Sequence, residues 1–137
     1  MIALDTNVLS ELARKLPNPR VAAWFQQQSL HTLYVPSVVV AEMLWGVAIL
    51  PAGKRKDELS RSVEKLLQKF EGRILPLDTA AARCYAALAS RARNTGQTMG
   101  LNDAYTAAIA QAHGCAVASR DVQPYQAAGV PVINPWE

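Results

Sequence analysis

Two cysteines, two histidines and no long apolar run set the first limits on this 137-residue chain. Cys84 and Cys115 lie far apart and form no Cys-x-x-Cys unit, which argues against a zinc site. Buried, reduced thiols of a cytosolic protein are the plain reading of such a pair. The longest apolar stretch, Val38 to Pro51, is too short to span a bilayer and contains Glu42, so no membrane role is expected. Neither a charged leader nor a long apolar segment accompanies Ile2-Ala3-Leu4, which predicts a chain without a secretory or transit segment. Linkers, low-complexity tracts and internal repeats are missing too, so one domain over residues 1–137 is expected. Lysine is absent after Lys69, and the later basic residues are Arg73, Arg83, Arg91, Arg93 and Arg120.

What remains is the balance of a soluble globular protein, half hydrophobic and 18% charged, long enough to bury a sizeable core. Short apolar runs alternate with helical periodicity. Ile2-Leu4, Leu33-Val35, Arg73-Leu75, Ala116-Ala118 and Val130-Ile133 read as short buried strands. Helices are expected over Asn7–Ala13, over Pro19–Gln28 with Pro19 in its first turn, and from a Ser37 cap to about Leu50. After Pro51-Ala52-Gly53 an amphipathic helix places Leu59, Val63, Leu66, Leu67 and Phe70 on one face. Asp78 or Thr79 caps an Ala-rich helix ending near Asn94-Thr95-Gly96, and Asn102 or Asp103 caps one that stops at His113-Gly114. Strands alternating with helices predict an α/β fold, a central parallel sheet of about five short strands with helices on both faces. Chemistry in such folds collects beyond the carboxyl ends of the strands.

Four carboxylates bear on that edge. Asp5 ends the first strand, Asp121 follows the fourth, and Asp103 opens the helix that feeds the fourth. Glu42 lies on an apolar helix with Val38, Val39, Trp45 and Gly46 one turn away and no Lys or Arg near it. Each acid has a local explanation: a helix cap for Asp5, a favourable dipole for Asp103, a turn for Asp121, an ion pair with a distant Arg for Glu42. One metal site accounts for all four together. Two carboxylates about 5 Å apart, at an effective dielectric of about 20, repel by about 3 kcal/mol, which a divalent cation relieves. Ligation by oxygen alone selects a hard ion, Mg²⁺ or Mn²⁺, and such a site suits phosphodiester hydrolysis. His31 and His113 stand apart from it, His113 as a dipole partner at a helix end, and Asp78 stays a cap.

Taken together, "LDTNVLSEL", "VVVAEMLWGV", "LNDAYTAAIAQAHG", "VASRDVQPY" and the closing "VPVINPWE" resemble a PIN-domain nuclease. More narrowly, the chain is similar over its whole length to the VapC-type toxins of bacterial toxin–antitoxin pairs, in the FitB-like branch. That resemblance implies a PIN-like fold and a metal-dependent endoribonuclease whose acidic set maps onto Asp5, Glu42, Asp103 and Asp121. It adds Thr6 as a hydroxyl beside the site, with Ser119 where a similar residue often precedes the last acid. It also implies a cytoplasmic toxin that forms homodimers and is inhibited by a cognate antitoxin inserting into its groove. A larger toxin–antitoxin complex on operator DNA, bound through the antitoxin, belongs to the same expectation.

Setting aside the four acids (−4) leaves the rest of the +3 chain at +7, an excess that can attract RNA. Lys54-Arg55-Lys56 is either a solvated loop or a contact for an acidic partner or RNA, and Arg91, Arg93 and Arg120 are candidate phosphate contacts. Met43, Leu44, Trp45 and Trp24 supply apolar surface to the core, a dimer or an antitoxin, and Trp136 docks the tail. Competing readings fare worse. A phosphoacceptor receiver domain needs paired acids after its first strand and a late lysine, and both are missing. "GVAILPAGKR" has the wrong glycine spacing for a P-loop. A catalytically silent interaction module that keeps the pocket for stability is the remaining alternative.

Overall fold

The computed structural model describes every residue, Met1–Glu137. Five strands, β1 (Ile2–Leu4), β2 (Leu33–Pro36), β3 (Ile74–Leu75), β4 (Ala116–Ala118) and β5 (Val132–Ile133), form one sheet in the order β3-β2-β1-β4-β5. All four pairings are parallel. Seven α-helices connect or follow them: α1 (Thr6–Ala13), α2 (Pro19–Gln27), α3 (Ser37–Ala48), α4 (Lys54–Gln68), α5 (Thr79–Asn94), α6 (Leu101–Ala112) and α7 (Val122–Ala127). No helix is long and apolar enough to cross a membrane.

The period-two alternation of a strand sends neighbouring side chains to opposite faces, and here it feeds two cores. Ala3 and Val117 join Ala104, Ala107, Ala108 and Tyr125 on one side, while Leu4 and Ala118 join Val8, Leu33, Val39 and Phe70 on the other. Both faces of the sheet are therefore covered. On α4 the expected face is realised, with Val63 and Leu66 buried and Phe70 wholly enclosed just beyond the helix. The small side chains of α5 and α6 let these two helices pack more extensively than any other pair.

Several local expectations change. Helix α6 begins earlier than expected, with Gly100 at its N-cap, so Asp103 lies within the first turn and does not cap. Ser37 opens α3 from inside; its Oγ accepts from the Leu77 N–H and ties the helix to the chain beyond β3. The last strand starts at Val132, and α7 and a 3₁₀ turn at Leu30–Thr32 are additional elements. Met43 is buried and Trp24 packs partly against the core, whereas Leu44 and Trp45 on α3, with Ile49 just beyond it, stay apolar toward solvent. Asp78 caps α5 as expected, accepting from the Ala81 N–H at 2.9 Å. Replacing it removes a partner from an otherwise orphaned helix donor, so Asp78→Ala is expected to lower stability by about 1 kcal/mol, read from urea unfolding.

Candidate metal centre

The strand order places β1 beside β4, and the chain reaches these neighbours in separate passes: β1 to β3 build one side, β4 and β5 the other. That reversal opens a crevice at the carboxyl ends of β1 and β4. Asp5 follows β1 directly and continues the ladder, its N–H donating to Ala118 O at 3.0 Å. Ser119 and Asp121 follow β4 across the same gap. Glu42 arrives from α3, which leaves the end of β2, and Asp103 from the start of α6.

Asp5 is buried and accepts three hydrogen bonds. The Thr6 N–H donates to Oδ1 at 2.8 Å. The Ser119 hydroxyl donates to Oδ2 at 2.7 Å and the Tyr125 hydroxyl to the same oxygen at 2.9 Å. Ser119, itself without solvent exposure, accepts in turn from Asn7 Nδ2 at 3.1 Å and from the Asp121 N–H at 3.0 Å. Asn7 Oδ1 closes the ring by accepting from the Arg120 N–H at 3.2 Å. Separately, the Thr6 hydroxyl donates to Glu42 Oε1 at 2.9 Å. The expected ion pair of Glu42 with a distant Arg is not formed: the two salt bridges are Arg14–Glu11 and Lys54–Glu58.

Electrostatics join Asp103 to this group. Its carboxyl is raised from 3.8 to about 6, first by burial and then by the negative charges of Asp5, Asp121 and Glu42, partly offset by the Tyr125 hydroxyl. The three other acids thus act on Asp103 across the crevice. Tyr125 is pushed well above its ordinary value by burial and by Asp5 and Asp103, which keeps it a hydrogen-bond donor. Asp121 is exposed, and its side chain makes no cap to α7.

All four candidate donors are carboxylates, which suits a hard divalent cation in type and charge. As the side chains stand, no three acidic, His or Cys groups are arranged as a ligand set. Asp5 Oδ2 and Glu42 Oε1 are instead engaged by protein hydroxyls. A cation that relieves the repulsion on Asp103 fits this pocket.

Beside the site runs a groove of about 1010 Å³ between α1, α3 and α4, which meets the acidic cluster at Glu42 and Asn7. Arg14, Lys15, Arg55 and Arg120 border it, so two of the basic positions singled out by sequence face this groove. The Arg120 guanidinium sits over Trp136, 5.4 Å from the ring centroid, and Arg20 holds the Trp136 carbonyl at 3.3 Å. Arg91 borders a separate cavity of about 210 Å³ between α5 and α7. Sequence reasoning overlooked Tyr125 and Asn7. A tyrosine near the last acid carries a hydroxyl that must find a partner if buried, and that was the available signal.

Raising the Asp103 carboxyl has a thermodynamic sign. An acid whose folded value exceeds its unfolded one costs nothing when protonated in both states, and the cost grows as pH rises from 3.8 to about 6. In metal-free protein, Asp103→Asn is expected to add about 1–2 kcal/mol at neutral pH after solvent screening, and nothing near pH 3. Urea unfolding in EDTA at both pH values measures this.

A family model described as PIN domain matches residues 2–130. The chain is 46% identical over 138 residues to the VapC ribonuclease Y4jK of Sinorhizobium fredii, covering 100% of this chain and 99% of that protein. It is 44% identical over 137 residues to the Toxin FitB of Neisseria gonorrhoeae, covering 99% of each. The solved structure of FitAB bound to an IR36 DNA fragment aligns with a TM-score of 0.94 at 45% identity, over 100% of this chain and 96% of that one.

Proposed function

The chain belongs to the PIN-domain family, and from that membership we propose that it is the toxin of a type II toxin–antitoxin pair, a Mg²⁺- or Mn²⁺-dependent endoribonuclease forming a single domain over residues 1–137. The observation that carries this reading is the convergence of Asp5, Glu42 and Asp121 on Asp103 at the crevice between β1 and β4, where burial first and then their charges raise the Asp103 carboxyl. Similarity to a protein named a VapC ribonuclease and to one named a toxin supports the activity and the biological role.

In this reading Asp5, Glu42 and Asp103 hold one or two cations and Asp121 completes the set. A divalent ion held there supplies Lewis-acid stabilisation of the phosphodiester oxygens and a water made acidic enough to act as nucleophile. The protein's own groups do the positioning. Asp5 is fixed by three donors, and Thr6 steers Glu42 through its hydroxyl. Arg120, stacked on Trp136 at the edge of the groove, offers a guanidinium to a substrate phosphate.

The partners follow the same reading: an RNA substrate, a cognate antitoxin, a second copy of the chain and, through the antitoxin, operator DNA, with the whole complex cytoplasmic. The structure of the similar FitAB in a DNA-bound form supports the last of these. The groove beside Glu42, lined by Arg14, Lys15, Arg55 and Arg120 and by Glu11, Glu42 and Glu58, suits an antitoxin segment carrying charges of both signs.

RNA cleavage with Mn²⁺ or Mg²⁺ is expected for the wild type and is expected to fall more than about 100-fold in Asp5→Asn and Asp103→Asn, a loss of about 2.7 kcal/mol or more in transition-state stabilisation. EDTA should abolish it. Equal cleavage by all three proteins, or cleavage that survives EDTA, overturns the reading. A folded wild type that binds the ion and cuts no RNA instead identifies the silent interaction module.

A further inference from the structure

Tyr125 is wholly buried, and it is the one buried residue of the six-residue helix α7. Its hydroxyl does not settle on a nearby backbone carbonyl. It crosses to the far end of the sequence and donates to Asp5 Oδ2 at 2.9 Å, beside Ser119 at 2.7 Å. A carboxylate has about four acceptor sites, two on each oxygen. Two donors fill Oδ2, and the Thr6 N–H takes one site on Oδ1.

Resting on the metal-site reading above, we infer that Tyr125 is a positioning residue for the cation: with Ser119 it saturates Asp5 Oδ2, locks the carboxylate plane and leaves one acceptor site, on Oδ1, for the ion. Asp5 then binds through one oxygen, since its other oxygen has no site left to share. Ser119 can serve in this clamp because its own valences are complete. Its O–H goes to Asp5, and its two lone pairs accept from Asn7 and from the Asp121 N–H. The clamp therefore draws α1, the end of β4 and α7 onto a single carboxylate. Groups that orient a metal-binding carboxylate in this way commonly govern affinity by about 10- to 100-fold.

The test is Mn²⁺ titration of the full chain without RNA, by calorimetry or by the paramagnetic resonance of the free ion, alongside urea unfolding. Tyr125→Phe keeps the ring and removes the donor, and is expected to weaken Mn²⁺ binding roughly tenfold or more while remaining folded. Ser119→Ala removes the other donor on the same oxygen and should act in the same direction, which keeps the inference testable if Tyr125→Phe does not fold. Tyr85→Phe, a hydroxyl removed from the same side of the sheet, should leave the affinity as it was. In an Asp5→Asn background the effect of Tyr125→Phe should vanish, because the two act through one another. A wild type that fails to bind Mn²⁺ refutes the metal-site reading itself. A wild type that binds, with Tyr125→Phe and Ser119→Ala binding as tightly, refutes the positioning role alone. A Tyr125→Phe effect that persists in full without the Asp5 carboxylate also refutes it.

Discussion

A carboxylate enclosed by protein must be hydrogen-bonded or paired, or it will not stay ionised. Asp5 meets that requirement through donors drawn from three segments: the next residue, the turn after β4, and helix α7. Much of the fold can be understood as the means of delivering them. The parallel pairing of β1 with β4 brings residue 119 to residue 5, and α7 folds back so that a tyrosine reaches the same oxygen. Ser119, Asn7 and the turn backbone then satisfy one another in a closed ring.

The other acids are held by looser means, and the contrast is informative. Glu42 has one hydrogen bond, from Thr6, and Asp121 is exposed. Asp103 sits in the first turn of α6, where the helix dipole favours negative charge, yet its carboxyl is still raised. Partial burial and repulsion from three neighbouring acids outweigh the dipole there. The polypeptide thus holds one acid rigidly and crowds the others around it, and stability alone would not produce that arrangement. That crowding supports the cation site proposed above.

Much of this could be seen in the sequence. Runs as short as Ile2-Leu4 and Ala116-Ala118 betrayed strands because they are apolar on both faces, as buried parallel strands are. Asp5 and Asp121 stood out by their position after those strands, and Glu42 by its apolar surroundings. Helix α7 escaped notice because six residues with a proline inside carry no measurable periodicity. Tyr125 escaped with it, since its partner lies at the opposite end of the chain. The starts of α3 and α6 were misplaced for a related reason: Ser37 and Asp103 have the chemistry of caps, but tertiary contacts engage Ser37 and the acidic crevice engages Asp103. Residue type reveals what a side chain is able to do, and only the packing decides which of those options is used.

The bond between Ser119 and Asp5, and that between Tyr125 and Asp5, each join the beginning of the chain to its last fifth. A piece of the polypeptide that stops before residue 125 lacks a donor to Asp5. During synthesis β1 must wait for nearly the whole chain before its neighbour β4 exists, so the crevice between them is assembled late. The order of strands in the sheet therefore makes the crevice a late product of synthesis, closed only when the two ends of the sequence can meet.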